Sequence, residues 1–265
     1  MSPGASPDQN TALEDVAAFA ATLNNISRPI IKKWFRQAPD IEKKSDLSPV
    51  TIADKSVEAA LRDAIMARFP DHGIIGEEEA AKTGGGDFTW VIDPIDGTRA
   101  FTCGSPLFGT LIAVLMDDRP VVGIIDLPAL DQCWIGVKGR PTLHNGMPVT
   151  TSGLADLNAA RTVTTSSVAL GRYHARFDQL ATRSMVTGYG GDCANYAHLA
   201  SGWCDIVAEA NLAPYDIMAS IPVITGAGGC VTRWDGEPIR LDDYDGTALA
   251  TASPALHDHA ISALG

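Results

Sequence analysis

The stretch Trp90–Thr98, which reads W-V-I-D-P-I-D-G-T, constrains this chain more than any other feature. Val91 and Ile92 are typical of the end of a buried strand, and the proline and glycine that follow predict a turn. Such a turn points the carboxylates of Asp93 and Asp96 at one place. Two acids held close together repel each other, so they need a cation to be stable together. The motif therefore predicts a metal site where a strand ends in a turn.

Further acids favour a metal site over a solvated turn. A single D-P-x-D-G is common as an Asx-type turn, and that alternative stands for the motif alone. Here the run Gly76–Glu79, G-E-E-E, precedes the motif, and a further acid, Asp216, follows downstream. Oxygen-only ligands select a hard ion, and Mg²⁺ prefers a few carboxylates completed by water and substrate phosphate. The set predicts a Mg²⁺ site for phosphate chemistry.

The charge balance excludes several classes of partner. The 265-residue chain has 20 Lys and Arg against 32 Asp and Glu, a net charge of −12. Because an acidic protein repels nucleic-acid backbones and anionic membranes, we expect neither as a partner. An anionic substrate would need bound cations to enter its site. A chain of this length can bury a large core without a partner.

Cysteine usage and the N-terminus predict a cytoplasmic protein. The five cysteines, at positions 103, 133, 193, 204 and 230, are scattered and lack C-x-x-C spacing. That pattern predicts free thiols in a reducing compartment. The first ten residues lack the basic and apolar regions of a signal peptide, and no apolar run approaches membrane-spanning length.

Hydrophobic periodicity predicts two helices before the motif and a sheet after it. A long amphipathic helix is predicted from Thr11 to about Phe35, and a second from Ile52 to Phe69, with Asp54 in its first turn. From residue 90 to 136 short β-rich runs predict a meandering, mostly antiparallel sheet. The predicted strands are Trp90–Ile92, Phe108–Leu115, Val121–Asp126 and Gln132–Val137.

Beyond residue 140 the chain alternates short strands with helices, which predicts a change of architecture. The predicted helices are Tyr173–Thr182, Asp192–Ser201 and Pro214–Gly226. We therefore expect an α+β half over residues 1–140 that carries most of the metal-binding acids. An α/β half over residues 141–265 would carry the substrate pocket and the last metal-binding acid, Asp216.

Taken together, Asp54, the G-E-E run, the D-P-I-D-G-T motif and a late Asp216 opening an apolar helix resemble the inositol monophosphatase family. The resemblance runs from about Leu13 to Gly229. It implies a mixed α+β and α/β fold, a layered αβαβα sandwich. It also implies a Mg²⁺-dependent phosphomonoesterase with two to three ions per site, in a chain that forms homodimers.

The same resemblance assigns roles to individual acids. Glu77, Asp93 and the carbonyl of Ile95 would hold one Mg²⁺, while Asp93, Asp96 and Asp216 would hold a second. In such pairs one ion lowers the pKa of a bound water and the other stabilises the leaving oxygen. Glu77 would also help to hold a weaker third ion, which makes it both a ligand and a catalytic residue.

Other residues of the resemblance would act on the water and on the phosphate. Asp54 and Thr98 would orient the nucleophilic water, although Thr98 could be a simple turn hydroxyl. The backbone amides of Gly97 and Thr98 would bind a phosphate oxygen, because only glycine lets the backbone approach so closely. Lys44 matches the mobile-loop lysine of the family, with a solvated loop cation as its alternative.

The sequence after D-G-T, R-A-F-T-C-G at residues 99–104, resembles the histidinol-phosphatase branch. Asp192 opens a predicted helix beside the expected substrate pocket, and Glu209 matches the family position that contacts the organic part of the substrate. Two acids at one pocket predict a cationic leaving group, since an ammonium or imidazolium gains a charge-assisted hydrogen bond. L-Histidinol phosphate fits that demand.

Alternatives remain at these positions. Asp192 could be an N-cap of its helix, and Arg99 could reach the substrate, pair with the site acids or form a structural salt bridge. The substrate could instead be myo-inositol monophosphate or a mixture of small phosphate esters. An alternative of another class is a regulatory role through protein or RNA contacts, against which the acidic charge argues.

Overall fold

The computed structural model describes residues 7–37, 41–43 and 49–265, with side chains from residue 11 onward except those of residues 38–51. The N-terminal region is not the single helix that periodicity predicts. Helix α1 (Pro7–Ala20) and helix α2 (Asn24–Trp34) are separated by a three-residue turn. In that turn the hydroxyl of Thr22 donates a hydrogen bond of 2.7 Å to the carbonyl of Phe19. This side-chain bond competes with the helical backbone ladder, which a pattern of apolar residues does not reveal.

The second predicted helix is confirmed as α3 (Ile52–Arg68), which follows a short antiparallel pair, β1 (Ile41–Lys43) and β2 (Pro49–Thr51). Its apolar stripe, which includes Val57, Leu61 and Ile65, is fully buried. Asp54 lies in its first turn, as predicted.

A seven-stranded sheet follows, in the spatial order β3-β4-β5-β6-β7-β8-β9. Its strands are β3 (Gly73–Gly76), β4 (Phe88–Asp96), β5 (Gly109–Met116), β6 (Arg119–Leu127), β7 (Gln132–Val137), β8 (Leu143–His144) and β9 (Met147–Pro148). Only β3 pairs in parallel, with β4, and every other pairing in this sheet is antiparallel. The predicted meander is confirmed. A short helix, α4 (Thr98–Thr102), stands between β4 and β5.

Strand β4 does not end at Ile92 as predicted. It continues to Asp96 through a bulge between Asp93 and Asp96, where three residue steps on β4 oppose two on β5. The pairing with β3 stops at Ile92, so Pro94, which lacks a backbone N–H, costs no ladder bond on that side. Side chains alternate along a regular strand, and the extra residue of the bulge turns the two aspartates toward the same side.

The second half forms a five-stranded mixed sheet in the spatial order β11-β10-β12-β14-β13. Its strands are β10 (Arg161–Thr164), β11 (Val186–Tyr189), β12 (Ile206–Ala210), β13 (Cys230–Thr232) and β14 (Thr247–Thr251). Its helices are α5 (Ser167–Leu170), α6 (His174–Ala181), α7 (Ala194–Ala200), α8 (Pro214–Ile217), α9 (Ser220–Gly226) and α10 (Pro254–Leu264). The helix predicted over Pro214–Gly226 is thus two helices, and the one predicted from Asp192 starts at Ala194.

Buried apolar residues define five layers. Helices α1 to α3 cover one face of the seven-stranded sheet. The opposite face packs against α7, α8 and α9, which also contact one face of the five-stranded sheet. Helices α5, α6 and α10 cover the remaining face of the second sheet. This is the layered αβαβα sandwich expected from the sequence, whereas the division into two halves near residue 140 stays a prediction.

Two further expectations concern thiols and membranes. All five cysteines are free thiols, as predicted. Within residues 7–37, 41–43 and 49–265, no helix combines the length and apolar character needed to cross a bilayer.

Candidate active site

Three aspartates meet at the end of β4. Carboxylate oxygens of Asp93, Asp96 and Asp216 all lie within 4.8 Å of one another. Asp93 and Asp96 share the bulged end of the strand, whereas Asp216 comes from the first turn of α8. The Asp216 side chain is oriented by a 2.7 Å hydrogen bond that it accepts from the backbone N–H of Ala213. The acids that the sequence grouped from distant segments therefore converge.

Two more predicted acids act on Asp93. Burial of the Asp93 carboxyl raises its pKa well above the ordinary value, and the charges of Glu77, Asp96, Asp216 and Asp54 raise it further. Glu77 follows β3 directly, and because Gly76 pairs with Ile92 it stands beside Asp93. Asp54 is buried in the first turn of α3. All five acids of the predicted set thus share one electrostatic environment.

The other two aspartates of the cluster are perturbed in the same direction. Burial and the charges of Asp192 and Asp216 raise the pKa of Asp96, although the backbone N–H of Cys193 donates a 2.6 Å hydrogen bond that lowers it. Burial and the charges of Glu77 and Glu209 raise the pKa of Asp216 to about 7, although the hydrogen bond from the backbone N–H of Ala213 opposes the increase. Carboxylates whose ionisation is suppressed this strongly need positive charge beside them to ionise at neutral pH.

The donor set fits a hard divalent cation. Among the residues that the structure describes, it consists of carboxylate oxygens without a thiolate or an imidazole. The Oδ1 atom of Asp93 is buried and has no hydrogen-bond partner among the described residues. Buried polar atoms are normally hydrogen-bonded, so an orphaned carboxylate oxygen within such a cluster is consistent with a metal ligand. Mg²⁺ is the ion that these donors suit.

The Gly97–Thr98 turn requires its glycine. Gly97 has φ 82° and ψ 39° and stands immediately before α4. A Cβ at residue 97 would lie 3.0 Å from the Oδ2 atom of Asp192, so both the backbone conformation and this close neighbour disfavour a side chain. The Thr98 hydroxyl donates a 3.1 Å hydrogen bond to the carbonyl of Ile95. Thr98 therefore makes the hydrogen bond expected of a simple turn hydroxyl, and it also lines the site.

A cavity of about 420 Å³ opens above this cluster. It is lined by residues predicted both for metal and for substrate: Glu77, Asp96, Gly97, Thr98, Arg99, Asp192, Glu209 and Asp216. Asp54 and Asp93 are buried close to it. Lys44, the predicted loop lysine, lies outside the described residues.

Asp192 is not the N-cap of its helix. The helix α7 starts at Ala194, and Cys193 precedes it without any side-chain capping bond. Asp192 has φ 43°, a conformation that few residues other than glycine, Asn and Asp adopt. Burial and the charge of Glu209 raise the pKa of Asp192 to about 6, while the positive charge of exposed Arg99 lowers it. Its carboxylate thus stands half-buried at the cavity, beside Arg99.

Glu209 reaches the same cavity from β12 and is 5% exposed. It accepts hydrogen bonds from the hydroxyl of Tyr196 (2.7 Å), the backbone N–H of Thr165 (3.0 Å) and the Thr165 hydroxyl. Burial raises the pKa of Glu209, and these three donors lower it in part. Sequence reasoning missed Tyr196 and Thr165, because no local pattern connects them to an acid on another element.

Comparisons with known proteins agree with this geometry. The model of the inositol monophosphatase family matches residues 12–265. The chain belongs to the inositol monophosphatase family. It is 42% identical to the chloroplastic bifunctional phosphatase IMPL2 of Arabidopsis thaliana, over 92% of this chain and 71% of that protein. It is 34% identical to a histidinol-phosphatase of Chlorobaculum parvum, over 98% and 97% of the two chains.

A solved member of the family has the same fold. An inositol monophosphatase from Zymomonas mobilis is 38% identical and superposes with a TM-score of 0.87, over 96% of this chain and 98% of that chain. The chain is therefore a phosphatase of this family with its acidic cluster assembled. Its individual substrate is a separate question.

Proposed function

We propose that this family member hydrolyses L-histidinol phosphate to L-histidinol and phosphate with Mg²⁺, a step of histidine biosynthesis. The observation that carries the proposal is the pairing of two chemistries in one cavity. Asp93, Asp96 and Asp216 form an acidic cluster suited to divalent cations. Asp192 and Glu209 line the same cavity. The three aspartates suit a phosphate group bound through metal ions. Asp192 and Glu209 suit a positively charged group in the organic part of the same substrate.

In this proposal Glu77, Asp93 and the carbonyl of Ile95 hold one Mg²⁺, and Asp93, Asp96 and Asp216 hold a second. Glu77 also contributes to a weaker third ion. Bound Mg²⁺ would lower the pKa of a water and offset charge on the leaving oxygen. The hydrogen bond from Thr98 leaves the Ile95 carbonyl a second lone pair.

The remaining residues bind the phosphate and orient the water. Gly97 and Thr98 line the cavity, and their backbone amides would donate to a phosphate oxygen. Asp54 and Thr98 would orient the water whose oxygen attacks phosphorus, opposite the P–O ester bond that breaks. The leaving alkoxide would depart as an alcohol, with the proton that the attacking water gives up balancing the one that the alkoxide takes. Lys44 stays a prediction of the family resemblance.

The charge of the substrate pocket supports an amine-bearing alcohol. Asp192 is held at φ 43° with Arg99 as its neighbouring cation. An ammonium or imidazolium group could take the place of Arg99 beside Asp192 and Glu209, and each charge-assisted bond contributes about 1.5–3 kcal/mol. An uncharged polyol would gain much less from the same carboxylates. The similarity to a histidinol-phosphatase over nearly the full chain supports the same assignment.

A second candidate is an inositol monophosphatase or a phosphatase of broad range. The likeness to the Zymomonas mobilis enzyme favours it, and the Arabidopsis relative carries the word bifunctional in its name. A regulatory role through protein or RNA contacts is the candidate of another class. A homodimer and a cytoplasmic location stay predictions.

The test is phosphate release from L-histidinol phosphate and from myo-inositol 1-phosphate, with excess Mg²⁺, for the parent and for Asp192→Asn. Asparagine tolerates the left-handed conformation, so this change removes charge and little else. We expect kcat/KM for histidinol phosphate to fall roughly 10- to 100-fold, the equivalent of one charge-assisted bond. The rate with inositol phosphate should change little.

Asp117→Asn is the matched control. Asp117 also has a positive φ, 52°, and it follows the end of β5 that lies opposite Phe88. The other end of β5, at Gly109, pairs with Asp96, so Asp117 is remote from the cavity. Equal parental rates on both esters, unchanged by Asp192→Asn, would favour the broad phosphatase. Absence of hydrolysis of either ester would favour the regulatory role.

A further inference from the structure

Helix α3 carries a buried ion pair on the same face as Asp54. Glu58 and Arg62 follow Asp54 at intervals of four residues, so the three side chains stack along one side of the helix. Glu58 is 0% exposed and Arg62 is 5% exposed. The Nε atom of Arg62 donates a 2.8 Å hydrogen bond to Oε1 of Glu58.

The Glu58 carboxylate also binds the backbone that carries Glu77. It accepts hydrogen bonds from the backbone N–H of Glu78, at 2.7 Å, and of Glu79, at 3.1 Å. Arg62 closes the arrangement with a 3.0 Å bond from Nη2 to the carbonyl of Glu79. Glu58 and Arg62 therefore bind both the backbone N–H groups and a backbone carbonyl of the bend that follows β3.

The Glu58 carboxylate also determines which residue can occupy position 76. A Cβ at residue 76 would lie 2.1 Å from Oε1 of Glu58, closer than atoms can approach. Glu58 is locked by three hydrogen bonds and is fully buried, so it cannot swing aside cheaply. The glycine before the three glutamates is thus required by Glu58, which fills the space a side chain would need.

A buried ion pair is weak grounds for stability, because desolvation offsets most of its attraction. This pair is instead placed where it determines the position of one acid. The Glu77 carboxylate acts on both Asp93 and Asp216, and it stands at the start of the bend that Glu58 holds. We propose that Glu58, locked by Arg62, is a positioning residue of the metal site that holds the Glu77 carboxylate in reach of the aspartate cluster.

This proposal rests on the proposed metal site. Residues that orient metal ligands typically contribute 10- to 100-fold in metal affinity. The decisive variant is Glu58→Gln, which keeps the shape but has one acceptor oxygen where the carboxylate had two. One backbone N–H of the bend then faces an amide N–H. We expect the Mg²⁺ dissociation constant, measured by calorimetric titration without substrate, to rise about tenfold or more.

Asp205→Asn is the matched control, because Asp205 is an equally buried acid remote from the bend. It accepts a 2.9 Å bond from the backbone N–H of Arg161 and a 2.7 Å bond from the Arg161 Nε atom. Asp205→Asn should destabilise the fold without changing the Mg²⁺ dissociation constant. If Glu58→Gln does not fold, Arg62→Lys serves instead, since it keeps the positive charge but lacks the fork that binds both the Glu58 carboxylate and the Glu79 carbonyl.

A double variant distinguishes positioning from a general structural effect. If Glu58 acts through Glu77, adding Glu58→Gln to Glu77→Gln should weaken Mg²⁺ binding by little more than Glu77→Gln alone. Fully additive losses would overturn the proposal, as would a Glu58→Gln variant that binds Mg²⁺ like the parent. If the parent itself binds no Mg²⁺, the metal site fails and the positioning role with it.

Discussion

Replacing Asp93 by asparagine should stabilise the metal-free protein near pH 8 and abolish its response to Mg²⁺. Asparagine has the same shape, so the change removes one negative charge from the cluster and leaves the packing intact. Asp93 has carboxylate neighbours within 4.8 Å on two sides. At that separation two unit charges repel by about 3 kcal/mol for an effective dielectric constant of about 20.

Protonation limits how much of this repulsion the protein experiences. The pKa of Asp216 is raised from 3.8 to about 7. Such a shift means that ionising this carboxyl lowers the free energy of unfolding by about 4 kcal/mol. Burial is the largest cause of that shift, the charges of Glu77 and Glu209 add to it, and the contact with Asp93 lowers it. The gain from Asp93→Asn therefore comes from Asp93 itself, whose pKa burial and the neighbouring acids raise well above its ordinary value. We expect Asp93→Asn to raise the free energy of unfolding by about 1–3 kcal/mol, or Tm by roughly 2–10 °C.

The sign of the pH dependence follows from the direction of these shifts. An acid whose pKa is higher in the folded than in the unfolded protein stabilises the fold through its protonated form. This stabilisation is complete at pH values below the unfolded-state pKa, and it is lost as the pH rises through the folded-state pKa. For Asp216 the loss runs from about pH 4 to about pH 7. Since the carboxyls are largely protonated near pH 5, the advantage of Asp93→Asn should be small there and grow toward pH 8.

The assay is urea unfolding of both proteins in chelator, at the two pH values, with thermal unfolding in excess Mg²⁺ alongside. The parent should be stabilised by Mg²⁺ and the variant should not, with phosphatase activity lost as well. Asp205→Asn is the opposite control, because it removes the buried partner of an ion pair with partly exposed Arg161 and should destabilise at both pH values. A metal-free Asp93→Asn protein that is no more stable than the parent near pH 8 would refute the reasoning.

Two further predictions concern the phosphate turn and the N-terminal helices. Gly97→Ala should lower the free energy of unfolding, measured in urea, by about 1–2 kcal/mol because of the left-handed backbone at residue 97. It should also lower kcat/KM at least tenfold, because the new Cβ displaces Asp192. Initial rates equal to those of the parent would contradict the second prediction. In the parent, Arg28 donates hydrogen bonds to both oxygens of the buried Asp126 carboxylate, from Nη2 at 2.6 Å and from Nε at 3.0 Å. Arg28→Met removes both bonds and should lower the free energy of unfolding by about 3 kcal/mol. Adding Asp126→Asn should restore part of that loss, and the Mg²⁺ dissociation constant should stay at the parental value throughout.

The acids of the candidate metal site could be predicted because each one sits in a short local pattern. Asp54 opens an amphipathic helix, Glu77 follows a strand, and Asp216 lies in the first turn of a helix that begins with proline. These patterns depend on residues within one or two turns of the acid. The chain needs only the family fold to bring them together.

Backbone irregularities were harder to predict, because they depend on neighbouring strands. The run through Pro94 has the composition of a turn, yet β4 passes through it as a bulge, since β3 no longer pairs beyond Ile92. Likewise, the hydrophobic stripe from residue 11 to 35 continues past Thr22, where the backbone leaves the helix. Periodicity reports which residues are buried, and it is insensitive to a short break that keeps the same residues buried.

Side-chain partners from distant segments account for most of what the sequence left undetermined, and they change how the acids should be classified. Glu58 and Arg62 are absent from the sequence prediction, yet both are buried around the Glu77–Glu79 bend. Glu209 is an acid in an apolar run until Tyr196 supplies its hydroxyl from α7. In both cases a carboxylate binds neutral donors of another element, and in both it stands close to a residue of the site. Two kinds of buried acid thus meet at this site: those that repel one another where a cation can bind, and Glu58, whose hydrogen bonds hold the bend beside them.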